Sequence, residues 1–360
     1  MKKIVIIAVL IINCLFAQNI YVQSYYGKYD VKTKEVGKVA GSLQKPIMEN
    51  WEFEVKAKKQ YRIAVLFPHL KDSYWLAVNY GILKEANRQG IIFDLYEAGG
   101  YNNFGKHKRE FLKVSKDNYD GIILGSISYN KLNKDIQNSK IPVIEVVNDI
   151  EAGNIKAKSL VSFFDMGYKA GEYVVKDSKG KAITVAFLPG PKNSGWADES
   201  YYGFLAAIRK SNPKSIKVAE PYFGDTGDIT QRGLIKRAFH KSKNIDYLVG
   251  NAVAASVAPS VLTKLNQSNT KVVSTYIIPD VYKLIKEGKV SAAPSDITVA
   301  QGKIAVDMMV KILDGKKPGI DFAFRAGPNI PVITQDNLLT YEVMFGEKNF
   351  KAVFSNEPKK

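Results

Sequence analysis

The chain has 360 residues, 46% hydrophobic and 24% charged, enough to bury substantial cores and to form two domains of about 150 residues each. Its net charge is +17, but only seven of the 52 basic residues are arginine and the lysines are scattered; a solvated basic surface is expected, not a nucleic-acid interface. The single cysteine, Cys14, lies in an apolar leader, which excludes disulfides, thiolate catalysis and cysteine-based metal sites from the rest of the chain.

Residues 1–17 read as an export signal: Lys2 and Lys3, an apolar run from Ile4 to Ile12, and the small Ala17 before Gln18. The run is shorter than the about 20 apolar residues that cross a bilayer, so cleavage and a periplasmic location are expected. A lipidated Cys14 is the weaker reading, because Asn13 is not a small residue. Residues 18–60 mix aromatics and lysines with Gly27, Gly37, Gly41 and Pro46, without helical periodicity. They are expected to form an extension pinned along the following lobe by Tyr and Trp side chains, with a partner-binding role as the alternative.

From Tyr61 onward strands and helices alternate. RIAVLF (62–67) leads to a helix over about 74–89, where Val78, Ile82, Leu83 and Ala86 recur at helical spacing. IIFDLYE (91–97), a helix over 104–117, GIILG (121–125), a short helix and IPVIEVV (141–147) follow. SLVSFF (159–164) reads as a crossing segment, after which a helix from Met166 to about Val175 restarts the pattern. Then come AITVAFL (182–188), a helix over 197–210, SIKVAEPYF (215–223), a helix over 229–241, DYLVG (246–250), a helix over 252–265 and KVVSTYI (271–277). Short apolar strands between amphipathic helices predict parallel βαβ units with both sheet faces covered. Two successive runs of them predict an α/β fold of two lobes with a cleft between.

The motifs argue against catalysis. GPKNSGWA (190–197) has the glycines of a phosphate loop but lacks its lysine and hydroxyl, and His69, His107 and His240 lie far apart without metal-ligand spacing. No cofactor, no metal and no enzymatic activity are expected. What stands out is aromatic: Trp75, Tyr101 and Trp196 follow predicted strands, Tyr276 ends one, and Phe163 lies at the crossing. Ligands of open α/β sheets collect at such carboxyl ends. Any one ring alone is as well explained by packing between lobes; together they favour a cage, whose negative faces suit a quaternary ammonium group.

PHLKDSYWLAVNYG (68–81), EAGGY (97–101), DMGYKAG (165–171), LPGPKNSG (188–195), NIDYLVG (244–250) and VSTY (273–276) resemble, in this order, the ribose-type (type I) periplasmic binding proteins. The first string is most similar to the branch that recognises trimethylamine N-oxide and reports it to a membrane sensor kinase. The resemblance implies two doubly wound parallel sheets joined by a three-segment hinge, with crossings near Ser162–Asp165, Pro294–Asp296 and Phe322–Phe324. It implies an N-terminal lobe of residues 61–161 plus 297–322, a C-terminal lobe of 162–295 plus 323–345, and a tail of 346–360. A helix over 300–316 would return to the first lobe. The implied ligand residues are Trp75, Tyr101, Phe163 and Tyr276 with Asp72 beside them, Phe163 standing where the branch carries tryptophan. The implied partners are a small methylammonium ligand and a sensor kinase ectodomain, with no nucleic acid.

A sugar carrier for an importer is the alternative. Asn148-Asp149 stands where ribose-type proteins carry Asp-Arg, while Asn251 and Asp296 match polar ligand positions of that family. A helix cap for Asn251 and a hinge turn for Asp296 are the plainer readings of those two.

Overall fold

A computed structural model of the chain describes residues 20–26 and 46–358, apart from 55, 151–152, 193 and 212–214. The leader expected over 1–17, and residues 27–45 of the extension, lie outside the described residues. No helix among the described residues is long and apolar enough to cross a membrane.

The chain opens with β1 (Ile20–Tyr25) and β2 (Ile47–Trp51). The first lobe continues through β3 (Arg62–Phe67), α1 (Ser73–Gln89), β4 (Ile92–Glu97), α2 (Phe104–Val114), β5 (Gly121–Leu124), α3 (Asn133–Gln137), β6 (Val143–Val146) and β7 (Lys158–Ser159). The second lobe runs through α4 (Phe163–Ser178), β8 (Ile183–Leu188), α5 (Trp196–Lys210), β9 (Ile216–Val218), α6 (Asp228–Lys241), β10 (Tyr247–Gly250), α7 (Ala252–Lys264), β11 (Lys271–Ser274), α8 (Pro279–Lys286) and β12 (Ala293–Pro294). Helix α9 (Thr298–Leu313) and β13 (Arg325–Pro328) return to the first lobe, and β14 (Val332–Ile333) and α10 (Tyr341–Phe345) follow.

One sheet has eight strands in the order β2-β1-β13-β7-β6-β5-β3-β4, a second has four in the order β11-β10-β8-β9, and β12 and β14 form a two-stranded antiparallel pair. From β13 to β4 the first sheet is parallel, whereas β1 pairs antiparallel with both β13 and β2. The second sheet is parallel throughout. Strands β5, β6 and β10 are buried at every position, because helices cover both faces; their apolar runs therefore show no alternation.

Three local features depart from expectation. Helix α4 starts at Phe163 and not at Met166, because Ser162 caps it, its Oγ accepting the Asp165 N–H at 3.1 Å. Strand β9 spans three residues of the nine expected; Pro221 offers no N–H to extend it. Phe322–Phe324, expected at a crossing, are buried in the first lobe, since β13 just after them pairs with β1 and β7. The passage to the second lobe comes later, between β13 and β14.

The described strands of the extension, β1 and β2, are part of the first sheet. Asp307 of α9, fully buried, accepts from the Trp51 indole (2.8 Å), the Glu54 N–H (2.8 Å), the Gln89 amide (3.0 Å) and the Lys311 ammonium (2.6 Å). Lys311 also lies 4.4 Å from the Trp51 ring centroid. The C-terminal residues likewise return to the first lobe. The Asn79 amide bonds the Val353 backbone in both directions (3.0 and 2.8 Å), and the Leu95 N–H donates to the Phe354 carbonyl at 2.7 Å, beside the outer strand β4.

Candidate ligand site

Helix α1 begins where the first strand of its lobe ends. Asp72 is its N-cap, accepting the Trp75 N–H at 3.2 Å, and this bond sets the directions of Tyr74 and Trp75. Trp75 is 1% exposed and packs 4.6 Å from the Phe67 ring. Gly125, just after β5, makes its space: a Cβ there would lie 2.6 Å from the indole Cη2. Trp196 at the head of α5 has the same accommodation. Gly190, with φ 126°, would bring a Cβ to 2.5 Å from its Cη2.

The rings form a chain across the cleft. Phe163 lies 6.3 Å from Trp196, Trp196 meets Tyr276 edge-on at 5.9 Å, Tyr276 meets Tyr74 at 5.8 Å, and Tyr74 meets Trp75 at 6.1 Å. Tyr101 joins through polar contacts. Its hydroxyl takes a hydrogen bond from the Asn148 amide at 3.2 Å, and its ring lies 5.4 Å from that of His69. Asn148 also donates to the Ser126 carbonyl at 2.7 Å, so one amide group positions both the ring and the loop after β5.

Tyr74 was not singled out from sequence. It also makes a polar contact between the lobes: its hydroxyl donates to the Asp296 carboxylate at the second crossing. Gln301 donates to the same carboxylate at 3.1 Å and to the Asp296 carbonyl at 3.0 Å. Burial pushes Asp296 up to about 6, against these hydrogen bonds, which pull it down. The next residue, Ile297, has φ 41°, a left-handed conformation that is strained for a β-branched side chain.

Asn251 occupies the expected strand end, but its amide is engaged internally. It caps α7 by accepting the Ala254 N–H at 3.0 Å and donates to the Leu188 carbonyl at 3.1 Å, fully buried. Asp72 is likewise a cap, and its other oxygen lies 4.0 Å from His69 Nε2. Desolvation in the cleft raises Tyr101, still 37% exposed, to about 12 and pushes Tyr74 and Tyr276 up as well, so at neutral pH all three hydroxyls can donate.

Tyr101, Phe163 and Trp196 also border a cavity of about 460 Å³ between the lobes. Its lining includes Ser162, Glu199 and Arg325, and Glu199 is only 5% exposed. Burial raises Glu199 to about 8; Asp149 and Asp165 add to the shift, and Arg325 and Lys158 oppose it.

The sequence matches the family described as periplasmic binding protein domain over residues 63–317. The chain belongs to the periplasmic binding protein family. It is 36% identical over 285 residues to the periplasmic protein TorT of Escherichia coli O157:H7, covering 79% of this chain and 80% of that one. A solute-binding protein of an ABC transporter from Bradyrhizobium sp. BTAi1, solved with bound Bis-Tris, superposes with a TM-score of 0.81 at 34% identity, covering 94% of this chain and 98% of that chain. The complex of the TorS sensor domain with TorT in the presence of TMAO gives a TM-score of 0.74 at 30% identity, covering 82% of this chain and 100% of that chain. The protein is accordingly periplasmic, with the two-lobed type I fold of its family.

Tyr74 and Asp296 tie the two lobes together. Tyr74→Phe should cost about 1.5–3 kcal/mol of the closed form, because it leaves a buried carboxylate short of a donor. A larger radius of gyration by small-angle scattering, with little change in the far-ultraviolet spectrum, is the expected result; an unchanged radius would reduce Tyr74 to packing alone.

Glu199 sets a pH dependence. Its pKa in the folded chain lies above that of an unfolded glutamate, so its contribution to stability is full below about pH 4.5 and is lost as pH rises through about 8. Glu199→Gln should remove that loss and stabilise the protein above pH 8 by an amount on the order of 3 kcal/mol. Denaturant unfolding between pH 5 and 9 checks this; parallel profiles for the two proteins would show that Glu199 does not titrate in this window.

Proposed function

We propose that this protein binds a small methylammonium compound of the trimethylamine N-oxide type between its lobes, without changing it, and presents the closed form to the ectodomain of a membrane sensor kinase of the TorS type. The observation that carries this reading is the chain of rings from Phe163 through Trp196, Tyr276 and Tyr74 to Trp75, which draws on both lobes. Aromatic faces attract the positive nitrogen and cover its methyl groups. The hydroxyls of Tyr101 and Tyr276, protonated at neutral pH, are donors for the oxide oxygen. Phe163 needs no tryptophan in its own position to have an indole near it, since Trp196 lies 6.3 Å away.

The relatives support the same reading. TorT is solved with a sensor domain and TMAO, and the Bradyrhizobium protein holds Bis-Tris, itself a hydroxylated tertiary amine. Ligand bias toward closure requires a higher affinity for the closed form, which rings from two lobes supply only when the lobes meet. Asp72, Asn148, Asn251 and Asp296 would serve this site by orienting its elements, each through the bonds already described.

Calorimetric titration with trimethylamine N-oxide, glycine betaine, choline and ribose, with and without the sensor ectodomain, tests the proposal. A methylammonium compound should bind, Tyr276→Ala should weaken it at least tenfold, and the ligand should be recovered chemically unchanged. Binding of ribose with no response to any ammonium compound would replace this reading with that of a sugar carrier.

A further inference from the structure

The ring chain and the cavity beside it have different chemistry. The cavity of about 460 Å³ shares Tyr101, Phe163 and Trp196 with the rings, and it is also lined by Ser128, Asn130, Ser162, Glu199 and Arg325. Its size falls within the range of about 300–1,000 Å³ typical of sites for ligands considerably larger than a three-methyl amine oxide. A polar cavity of this kind opening beside an apolar, aromatic wall is suited to a ligand with two ends.

We infer, building on the methylammonium reading, that the natural ligand is an ammonium compound carrying a hydroxylated arm, whose cationic head lies against the rings and whose arm enters the cavity toward Glu199. Three observations support the arm and its chemistry. First, Glu199 projects from the first turn of α5, is 5% exposed and borders the cavity, and its carboxyl makes no hydrogen bond with a described residue and keeps access to the cavity space. A ligand hydroxyl there can serve it as donor or acceptor. Second, the lining combines charges of both signs, Asp149 with Arg325 and Lys131, beside a Glu199 that burial keeps mostly protonated at neutral pH, so a second cationic arm is not favoured over a neutral one. Third, the remaining polar groups are hydroxyls and amides, which donate and accept equally well and so match a hydroxyl better than a carboxylate or an ammonium.

The test is a ligand series on the mature protein by calorimetry: tetramethylammonium, trimethylamine N-oxide, choline and bis(2-hydroxyethyl)dimethylammonium, with ribose as a control. Affinity is expected to rise at least tenfold from tetramethylammonium to choline, and not to fall with the second hydroxyethyl arm. Glu199→Ala should erase the advantage of choline while leaving tetramethylammonium unchanged, and Glu199→Gln, which keeps a hydrogen-bonding group, should retain part of it. If trimethylamine N-oxide and tetramethylammonium bind as well as choline, or if Glu199→Ala weakens all of them alike, the arm is refuted while the methylammonium site stands. If no ammonium compound binds, or ribose alone does, the site reading fails and this inference with it. The wild-type series decides the matter without any variant, so poor folding of one substitution does not shield the proposal.

Discussion

Trp75→Ala is expected to lower stability by about 3–5 kcal/mol and to abolish ligand binding at the same time. Trp75 is nearly inaccessible, is packed on Phe67, and fills the space that Gly125 leaves for it. Truncation removes a large buried ring and leaves a cavity that rigid strand ends on either side cannot close. The same ring supports Tyr74, a contact between lobes, so the closed form suffers along with the fold. Trp75→Phe keeps a ring over Phe67 and should lose far less of both. Urea unfolding and calorimetry on the two variants make the comparison. Full stability of Trp75→Ala with binding alone lost would mean that the indole belongs to the ligand surface and contributes little to the core.

Asp307→Ala is the second large effect, again about 3–5 kcal/mol, for an electrostatic reason. Asp307 is fully buried and collects four donors, among them the Lys311 ammonium at 2.6 Å and the Trp51 indole at 2.8 Å. Its removal strands a cation that is itself almost wholly inside, and an unpaired buried charge costs more than the pair contributed. The bonds lost include those to Trp51 and Glu54, so β2 should loosen first. Hydrogen exchange is expected to speed up in Ile47–Trp51 before it does in β3. Limited proteolysis offers an independent check: cleavage of the extension in the variant but not in the wild type is the expected pattern, and equal resistance would show that strand pairing alone holds it.

These two residues also show where sequence reading reached and where it stopped. Trp75 was identifiable because it follows an apolar strand at the start of a helical pattern, and both signals lie within a few residues of it. Tyr74, one residue earlier, was passed over. Neighbours on a helix point about 100° apart, and nothing local says which of two adjacent aromatics faces the partner lobe. Its bond to Asp296 spans 222 residues. Asp307 gave no signal at all, since an acid in a helix reads as solvated until the strand that covers it is placed.

Asn251 shows the reverse case. Its position after an apolar strand matched a ligand-binding pattern, yet the same position is where a helix needs a cap, and the cap is what its amide serves. Ile20–Tyr25 and Ile47–Trp51 of the extension show no helical periodicity because they pair as strands. Strand β1 joins the sheet through β13, more than 300 residues away, so no short window contains the pairing.

The sequence by itself determined the alternation of strands and helices, the division into two similar halves, the lack of any cysteine beyond the leader, and the placing of aromatics at strand ends. Each of these follows from local periodicity or composition, and such signals are complete within one element. Tertiary structure alone decided which rings meet, that Tyr74 bridges the lobes to Asp296, that β1, β2 and the C-terminal residues complete the first lobe, and that the nearly inaccessible Glu199 borders the cavity. Those outcomes depend on contacts between segments distant in the chain and on the exclusion of water from between them, and burial of that kind exists only once the lobes are assembled.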